Sequence, residues 1–361
     1  MMSQHSSIKS QYQKKVCDLS GTAFATLMQS TDVFICAAGF EARAERVPLA
    51  AVVTKNPIII AFKNGPSKND ETFAKFKARF ENVQGFDVCE LDLTHMEEWE
   101  SVFENSIRKL RNFGAGRIVL DISGLPNFAI CIAIMKIRQV FPMANLTLLH
   151  TEAEEYFPQE SDFKSIKKSM AARLSAKVAP EYLSAKAVNM FMPSMFSGVA
   201  LGHNDACLIV FAGYEPHRTS CVLEATNPSK LVMVYGEPQR PDLKWRLELS
   251  RIMHQGFNSL MLMKTEEVSS TGEIDDNLNL LRKYYEYLYD DHVLCVCPTN
   301  SKMQAVASAL AWEIYPDIQL NFPVPAEYLQ RSFSIDWRDT FIIDLGISPK
   351  AKRYFVPKFE A

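Results

Sequence analysis

The sequence lacks the short motifs that would assign a reaction at a glance. It has no GxxxxGKS/T phosphate loop, no HExxH zinc helix and no GxSxG nucleophile turn. Gly114-Ala115-Gly116 comes before an apolar strand rather than after one and has no third glycine, so it is not a dinucleotide fingerprint. No CxxC pair occurs among the eight cysteines. They are Cys17, Cys36, Cys89, Cys131, Cys207, Cys221, Cys295 and Cys297, mostly inside apolar runs. That is the pattern of reduced core thiols; no metal centre is expected and no cofactor is implied. Cys295 and Cys297 share a strand-like stretch whose alternation points both to one face. No apolar run reaches the roughly 18 residues of a membrane span, and the polar start has no signal-peptide core. A cytoplasmic protein is therefore expected. Neither charge sign dominates: 39 Lys and Arg stand against 42 Asp and Glu, a net charge of -3. This argues against a nucleic-acid coat or a polybasic membrane binder.

What is present is apolar material and a repeat. The 361 residues are 47% hydrophobic, enough for two ordinary cores. Gly39-Phe40-Glu41-Ala42-Arg43 follows one apolar run, and Gly213-Tyr214-Glu215-Pro216-His217-Arg218 follows another. Gly39 and Gly213 lie 174 residues apart. Phe141-Pro142 falls on Tyr315-Pro316 and Ser123 on Cys297 at that same offset, and Ala153-Glu154-Glu155-Tyr156 reaches Pro325-Ala326-Glu327-Tyr328 within a slip of two. A constant offset between distant landmarks is the mark of tandem duplication.

Each copy reads as buried strands alternating with helices. Strands are expected at Ile58 to Phe62, Arg117 to Ile122 and Asn145 to His150, and again at Leu231 to Tyr235, His292 to Cys297 and Gln319 to Phe322. Helices are expected at Glu45 to Thr54, Glu71 to Asn82 and Glu97 to Asn112, with Lys244 to Gln255 and Ile274 to Tyr289 in the second copy. Continuous Val/Ile/Leu runs between helices indicate an α/β protein of two tandem Rossmann-like units, each a mostly parallel sheet covered by helices. The expected boundaries are 1–160 for the first unit, 161–204 for a helical linker and 205–361 for the second unit. The linker helix, Asp162 to Ala187, carries Lys164, Lys167, Lys168, Arg173 and Lys177, and reads as a solvated connector or a basic contact surface. Thr340 to Leu345 forms a further strand, placed with the second unit.

Open α/β sheets bind ligands on strand-to-helix loops. Gly39 and Gly213 would let the chain turn and a ligand approach, while Arg43 and Arg218 would hold phosphate or carboxylate. Glu41 and Glu215 would accept from ribose or a base, or simply buttress those arginines. The second junctions carry Asp121, Ser123 and Asn127 in the first copy, and Thr299, Asn300, Ser301 and Lys302 in the second. These read as an anion cradle or as plain helix caps. His217 lies inside the second marked loop and is a candidate general base with Glu215 and Asp121. His95, His150, His203, His254 and His292 are isolated and read as structural or surface residues.

The Asp121-Ile122-Ser123-Gly124 and Pro298-Thr299-Asn300-Ser301-Lys302 junctions resemble the CARF and SAVED group of Rossmann-like nucleotide sensors. The resemblance implies cyclic-oligonucleotide sensing in prokaryotic antiviral signalling. Both copies lack that group's double glycine, the first has Asn127 where its lysine would stand, and the sequence shows no effector domain. The resulting expectation is a sensor for a nucleotide-like, phosphate-bearing small molecule, with an effector protein as partner and homo-oligomerisation open. One alternative is an enzyme acting on a nucleotide or sugar phosphate as hydrolase or transferase. The other is a scaffold subunit with vestigial pockets.

Overall fold

Strand and helix alternate as the apolar pattern requires. In the computed structural model, residues 11–111, 114–171, 188–198, 205–259, 263–326, 328 and 333–350 are described. The first half opens with β1 (Lys14–Val16) and α1 (Thr22–Gln29). It continues through β2 (Val33–Ala37), α2 (Arg43–Ala50), β3 (Pro57–Lys63), α3 (Lys68–Phe80), β4 (Asp87–Asp92), α4 (Trp99–Arg108), β5 (Arg117–Asp121), α5 (Asn127–Val140) and β6 (Asn145–Thr151). Short β7 (Glu155–Tyr156), α6 (Glu160–Ala171) and β8 (Val188–Phe191) follow. The second half runs β9 (Asp205–Ala212), α7 (Pro216–Thr226), β10 (Lys230–Glu237), α8 (Trp245–Met253), β11 (Met263–Ser270), α9 (Ile274–Leu288), β12 (His292–Pro298), α10 (Lys302–Ile314) and β13 (Gln319–Leu320). Beyond it lie β14 (Phe322–Pro325), β15 (Ser334–Ile335) and β16 (Thr340–Gly346).

Both halves use one topology. The five parallel strands lie in the order β4-β3-β2-β5-β6 in the first and β11-β10-β9-β12-β13 in the second. Each is the third, second, first, fourth and fifth strand of its copy, so the duplicated Rossmann-like pattern expected from the sequence is present. The order reverses between first and fourth strands, at β2/β5 and β9/β12. There the following loops diverge to opposite faces and leave a crevice.

The sequence pattern missed β4 and β11. Both are edge strands in the five-strand order, and their sequences, Asp87–Asp92 and Met263–Ser270, are largely polar. A strand covered on fewer sides has no continuous apolar run to reveal it. Thr340 to Leu345, which the sequence placed with the second unit, lies in the first sheet. As β16 it runs antiparallel to β6, with Thr340 opposite Thr151 and Ile343 opposite Leu148. It buries Ile343 and Leu345 and covers an edge the five parallel strands would leave open. β1 then pairs with β16, so both of these strands lie in the first sheet.

The halves share a core through α5 and α10. Twelve of the fourteen residues of α5 are buried, and eleven of the thirteen in α10. A helix apolar on all sides must be surrounded. Cys131 Sγ donates to Ala305 O at 3.3 Å, and these residues are 174 apart. A residue that touches its own equivalent lies on the axis relating the copies, so α5 and α10 cross at a pseudo-two-fold axis. The eight cysteines are unpaired, and Cys295 and Cys297 face the same core layer.

Of the expected 161–204 helical linker, α6 is helical, whereas β8 is a strand paired with β14, and 172–187 lie outside the described residues. On α6, Lys164 and Lys167 form surface pairs with Glu160 and Glu248. Arg173 and Lys177 lie outside the described residues. No helix among the described residues is long and apolar enough to cross a membrane.

Candidate functional site

The two marked loops open onto one cleft. Its volume is about 610 Å³, and Gly39, Glu41 and Arg43 line it together with Gly213, Glu215 and Arg218. Asn127, Thr299, Asn300, Ser301 and Lys302 line it as well. Thus α2, α5, α7 and α10 all bring their first turns to this space. Unpaired N–H groups at helix starts favour an anion.

The glycines serve packing more directly than turning. A Cβ on Gly39 would come within 3.1 Å of Gly124 O, and one on Gly213 within 2.9 Å of Thr299 O. A Cβ on Gly124 would come within 2.5 Å of Ala37 O. In each half, then, the loop after the first strand lies against the loop after the fourth, and a methyl would wedge them apart. Gly124→Ala is expected to cost about 1–3 kcal/mol, as overpacking does. Gly256→Ala, where an added Cβ would meet nothing within 4 Å, is the control and should stay within about 0.5 kcal/mol. Urea midpoints that fall equally for both variants would refute this packing role.

Each arginine is held by its neighbouring glutamate. Arg43 Nη2 donates to Glu41 Oε2 at 2.8 Å, and Arg218 Nε lies 2.9 Å from Glu215 Oε2. Burial pushes the Glu41 carboxyl up, but Arg43 and Lys302 outweigh it and hold it below the usual range. Arg43 also donates to Tyr156 Oη at 3.4 Å, and Ser334 Oγ donates to Glu41 Oε1 at 2.6 Å. Tyr328 stands in the electrostatic reach of Arg218 and Glu215 as Tyr156 does for Arg43 and Glu41. The repeated unit is therefore a Glu–Arg pair with a tyrosine from beyond the last strand.

Several expected ligand groups are committed to the protein. Ser123 is fully buried; it donates to Asp121 Oδ1 at 2.5 Å and accepts from Thr151 N at 2.8 Å. Neither Ser123 nor Asp121 is among the cleft-lining residues. Ser123 does not cap α5, whose cap position is Pro126. Thr299 Oγ1 donates to Phe211 O at 2.8 Å. Ser301 caps α10 in a reciprocal box with Gln304. Across the axis, Asn127 Nδ2 donates to Pro298 O at 2.8 Å, while Lys302 Nζ donates to Leu125 O. Each helix start thus holds the other copy's junction loop.

The catalytic candidates stand differently with respect to the cleft. Glu215 lines the cleft, whereas Asp121 lies beneath it and His217 on α7 is not among the lining residues. Burial pushes the Asp121 carboxyl up to about 6 and the Lys302 amine down to about 7.

Other lining groups were not legible as site residues. Lys14, His150, Arg240, Arg246 and Arg338 come from segments far apart in sequence. Arg246 donates to Tyr156 O, Phe157 O and Pro158 O, at 3.3, 3.0 and 2.8 Å. Arg240 donates to Ala153 O and Glu154 O at 3.2 and 2.9 Å. Two arginines of the second half thereby fix the 153–158 segment of the first. His150 is 6% exposed, and among the described residues its Nδ1 has no hydrogen-bond partner. Burial, then Arg43, Lys302 and Lys14, keep it neutral far below the usual histidine range. The only sequence signal for this group was the repeated Tyr156/Tyr328 landmark.

No family model matches the chain, and no curated protein does. Among solved structures, the chain is similar to a type III CRISPR defence DNA nuclease activated by cyclic oligoadenylate. The identity is 11% and the TM-score 0.44, covering 81% of this chain and 65% of the nuclease. The chain thus spans less than two thirds of that protein's length. A periplasmic ABC-transporter solute-binding protein from Actinobacillus succinogenes 130z with bound D-allose gives 12% identity and a TM-score of 0.24, over 73% of this chain and 77% of that one. A multidomain structure from a keto acid-selecting NRPS module, with adenylation, ketoreductase and pseudo Asub domains, gives 12% and 0.20, over 79% and 27%. At these TM-scores the likenesses say nothing of ligand or activity.

Proposed function

We propose that this chain binds a phosphate-bearing, nucleotide-like small molecule in the axial cleft and works as a sensor. One observation carries the reading: a single cleft on the pseudo-two-fold axis is lined by seven cationic side chains against four carboxylates. It occurs in a chain whose net charge is -3. The excess of positive charge is therefore local, and four helix N-termini reinforce it. Aromatic side chains including Phe40, Tyr156, Tyr214, Tyr328 and Phe333 share the lining, and they suit a ligand with flat rings as well as charge. Asp121 and His217 are absent from that lining, which favours binding over the hydrolase or transferase reading. The resemblance of the two junctions to CARF and SAVED sensors supports a role in antiviral signalling, with an effector protein as downstream partner.

The test is mass spectrometry of small molecules released from the purified protein, followed by thermal melts with the compounds found. A ligand at a hundred times its Kd should add about 2.7 kcal/mol of stability. If no phosphorylated compound is released and none in a nucleotide panel moves the melting temperature, the reading fails.

A further inference from the structure

We infer that the two halves of the cleft divide the ligand between them: the first half seats one flat heteroaromatic ring and reads its edge with Asn69, and the second half takes the anionic part. This rests on the binding reading above and deepens it.

The first half has a slot for a ring. Phe62, Pro66, Leu93 and Phe128 line the cleft on that side. Phe62 stacks on Trp99 at 5.7 Å and 27°, and Trp99 lies 4.6 Å from Phe128, so the wall is braced from behind. Asn69, in the first turn of α3, also lines the cleft and is 4% exposed. Among the described residues nothing hydrogen-bonds its Oδ1. Its Nδ2 stands beside the turn after β3, 2.8 Å from where a Cβ on Gly65 would lie. Leaving a buried amide oxygen unpaired costs about 1–3 kcal/mol, so a fold that keeps one invites an explanation. A carboxamide offers one donor side and one acceptor side, which matches the edge of a nucleobase.

The second half has no equivalent slot. At the 174-residue offset, Phe62 becomes Gly236, Pro66 becomes Arg240 and Asn69 becomes Leu243. The space a side chain on Gly236 would need is taken by Asn300 Nδ2 and by Thr271 Cγ2, the latter 2.5 Å away. The ring wall is replaced by a filled surface with Arg240 beside it. At the same offset Phe128, part of the ring wall, becomes Lys302 at the start of α10. Duplication therefore left ring-wall residues in the first copy and cationic residues at the matching positions of the second, with Lys302 reaching Leu125 O and Arg240 reaching Ala153 O and Glu154 O across the axis. An asymmetric ligand with one ring and one anionic end fits this division better than two equivalent halves would.

The experiment measures affinities for the four ribonucleoside 5′-triphosphates, their cyclic dinucleotides and inorganic triphosphate. At least one base-bearing compound should bind tenfold or more tighter than inorganic triphosphate. Asn69→Leu and, separately, Leu93→Trp should each shrink that advantage to twofold or less; the second fills the slot from a partly buried position and guards against a folding defect in the first. The inference is overturned if inorganic triphosphate binds as tightly as the best nucleotide, or if both variants keep the wild-type ranking of bases. Should inorganic triphosphate bind while bases add nothing, only this inference falls. Should no compound bind, inorganic triphosphate included, the parent reading falls with it.

Discussion

Replacing Arg138 by methionine is expected to cost about 3–5 kcal/mol of stability, and adding Glu313→Met is expected to recover most of it. Arg138 lies on α5 and Glu313 on α10, with side chains 2% and 1% exposed and Nε 3.8 Å from Oε2. Arg138 also donates to Gly346 O at 2.6 Å and Leu345 O at 3.0 Å, and Ser348 Oγ donates to Glu313. The pair thus fastens the end of β16 to both axial helices. Burial pulls the Arg138 guanidinium below its ordinary value, yet a guanidinium stays charged over any practical pH range. Removing it leaves the buried Glu313 carboxylate without its countercharge, with only the Ser348 hydroxyl shown donating to it. Removing both charges removes that penalty, which is why the double variant should recover although two carbonyls lose donors. Urea unfolding at neutral pH measures both. A single-variant loss below about 1 kcal/mol, or a double variant no better than the single, would sink the argument.

The same strand shows where sequence reading stops. β16 is apolar and easy to recognise as a strand, but its partner β6 lies nearly two hundred residues away, and nothing local tells one sheet from the other. The repeat was legible because β2, β3 and β5 and their counterparts are buried on both faces and read as unbroken Val/Ile/Leu runs. Polar β4 and β11 left no such trace. The loops were legible for the same reason: a glycine after a buried strand is conspicuous. Their chemistry was less so. Ser123 and Asp121 share strand parity with no hint that they bond each other under the cleft, and Thr299 reads as a ligand group although its hydroxyl is spent on Phe211 O. His150 was set aside as isolated because its cleft neighbours Lys14 and Arg43 come from other segments. Sequence spacing records faces of one element; a site built across a pseudo-axis is a property of several.

Lys302 should make both stability and anion binding depend on pH in opposite senses. Burial, reinforced by Arg43, brings its amine to about 7, with Glu41 and Asp121 pulling back the other way. His150 also faces this group and is neutral at that pH. Between about 7 and the ordinary lysine value near 10.4, the unfolded chain holds a proton that the folded chain has shed. Stability of the ligand-free protein should therefore climb as pH rises through that window. Asp121, raised to about 6, acts in a lower window: there the folded chain holds the extra proton, so its contribution falls as pH rises from about 4 to 6. On the proposed reading, an anion in the cleft is held by the Lys302 ammonium. Its affinity for inorganic triphosphate should be flat just below pH 7 and weaken up to tenfold per pH unit above it, until the proton is no longer retained in the complex. Lys302→Met should remove both slopes and lower the affinity at pH 6.5 by tenfold or more. The contrast between the slopes is the decisive readout. A merely structural lysine would shift stability but leave the pH profile of triphosphate affinity the same in wild type and Lys302→Met. A Lys302→Met variant that still loses affinity above pH 7 would place the titrating group elsewhere in the cleft.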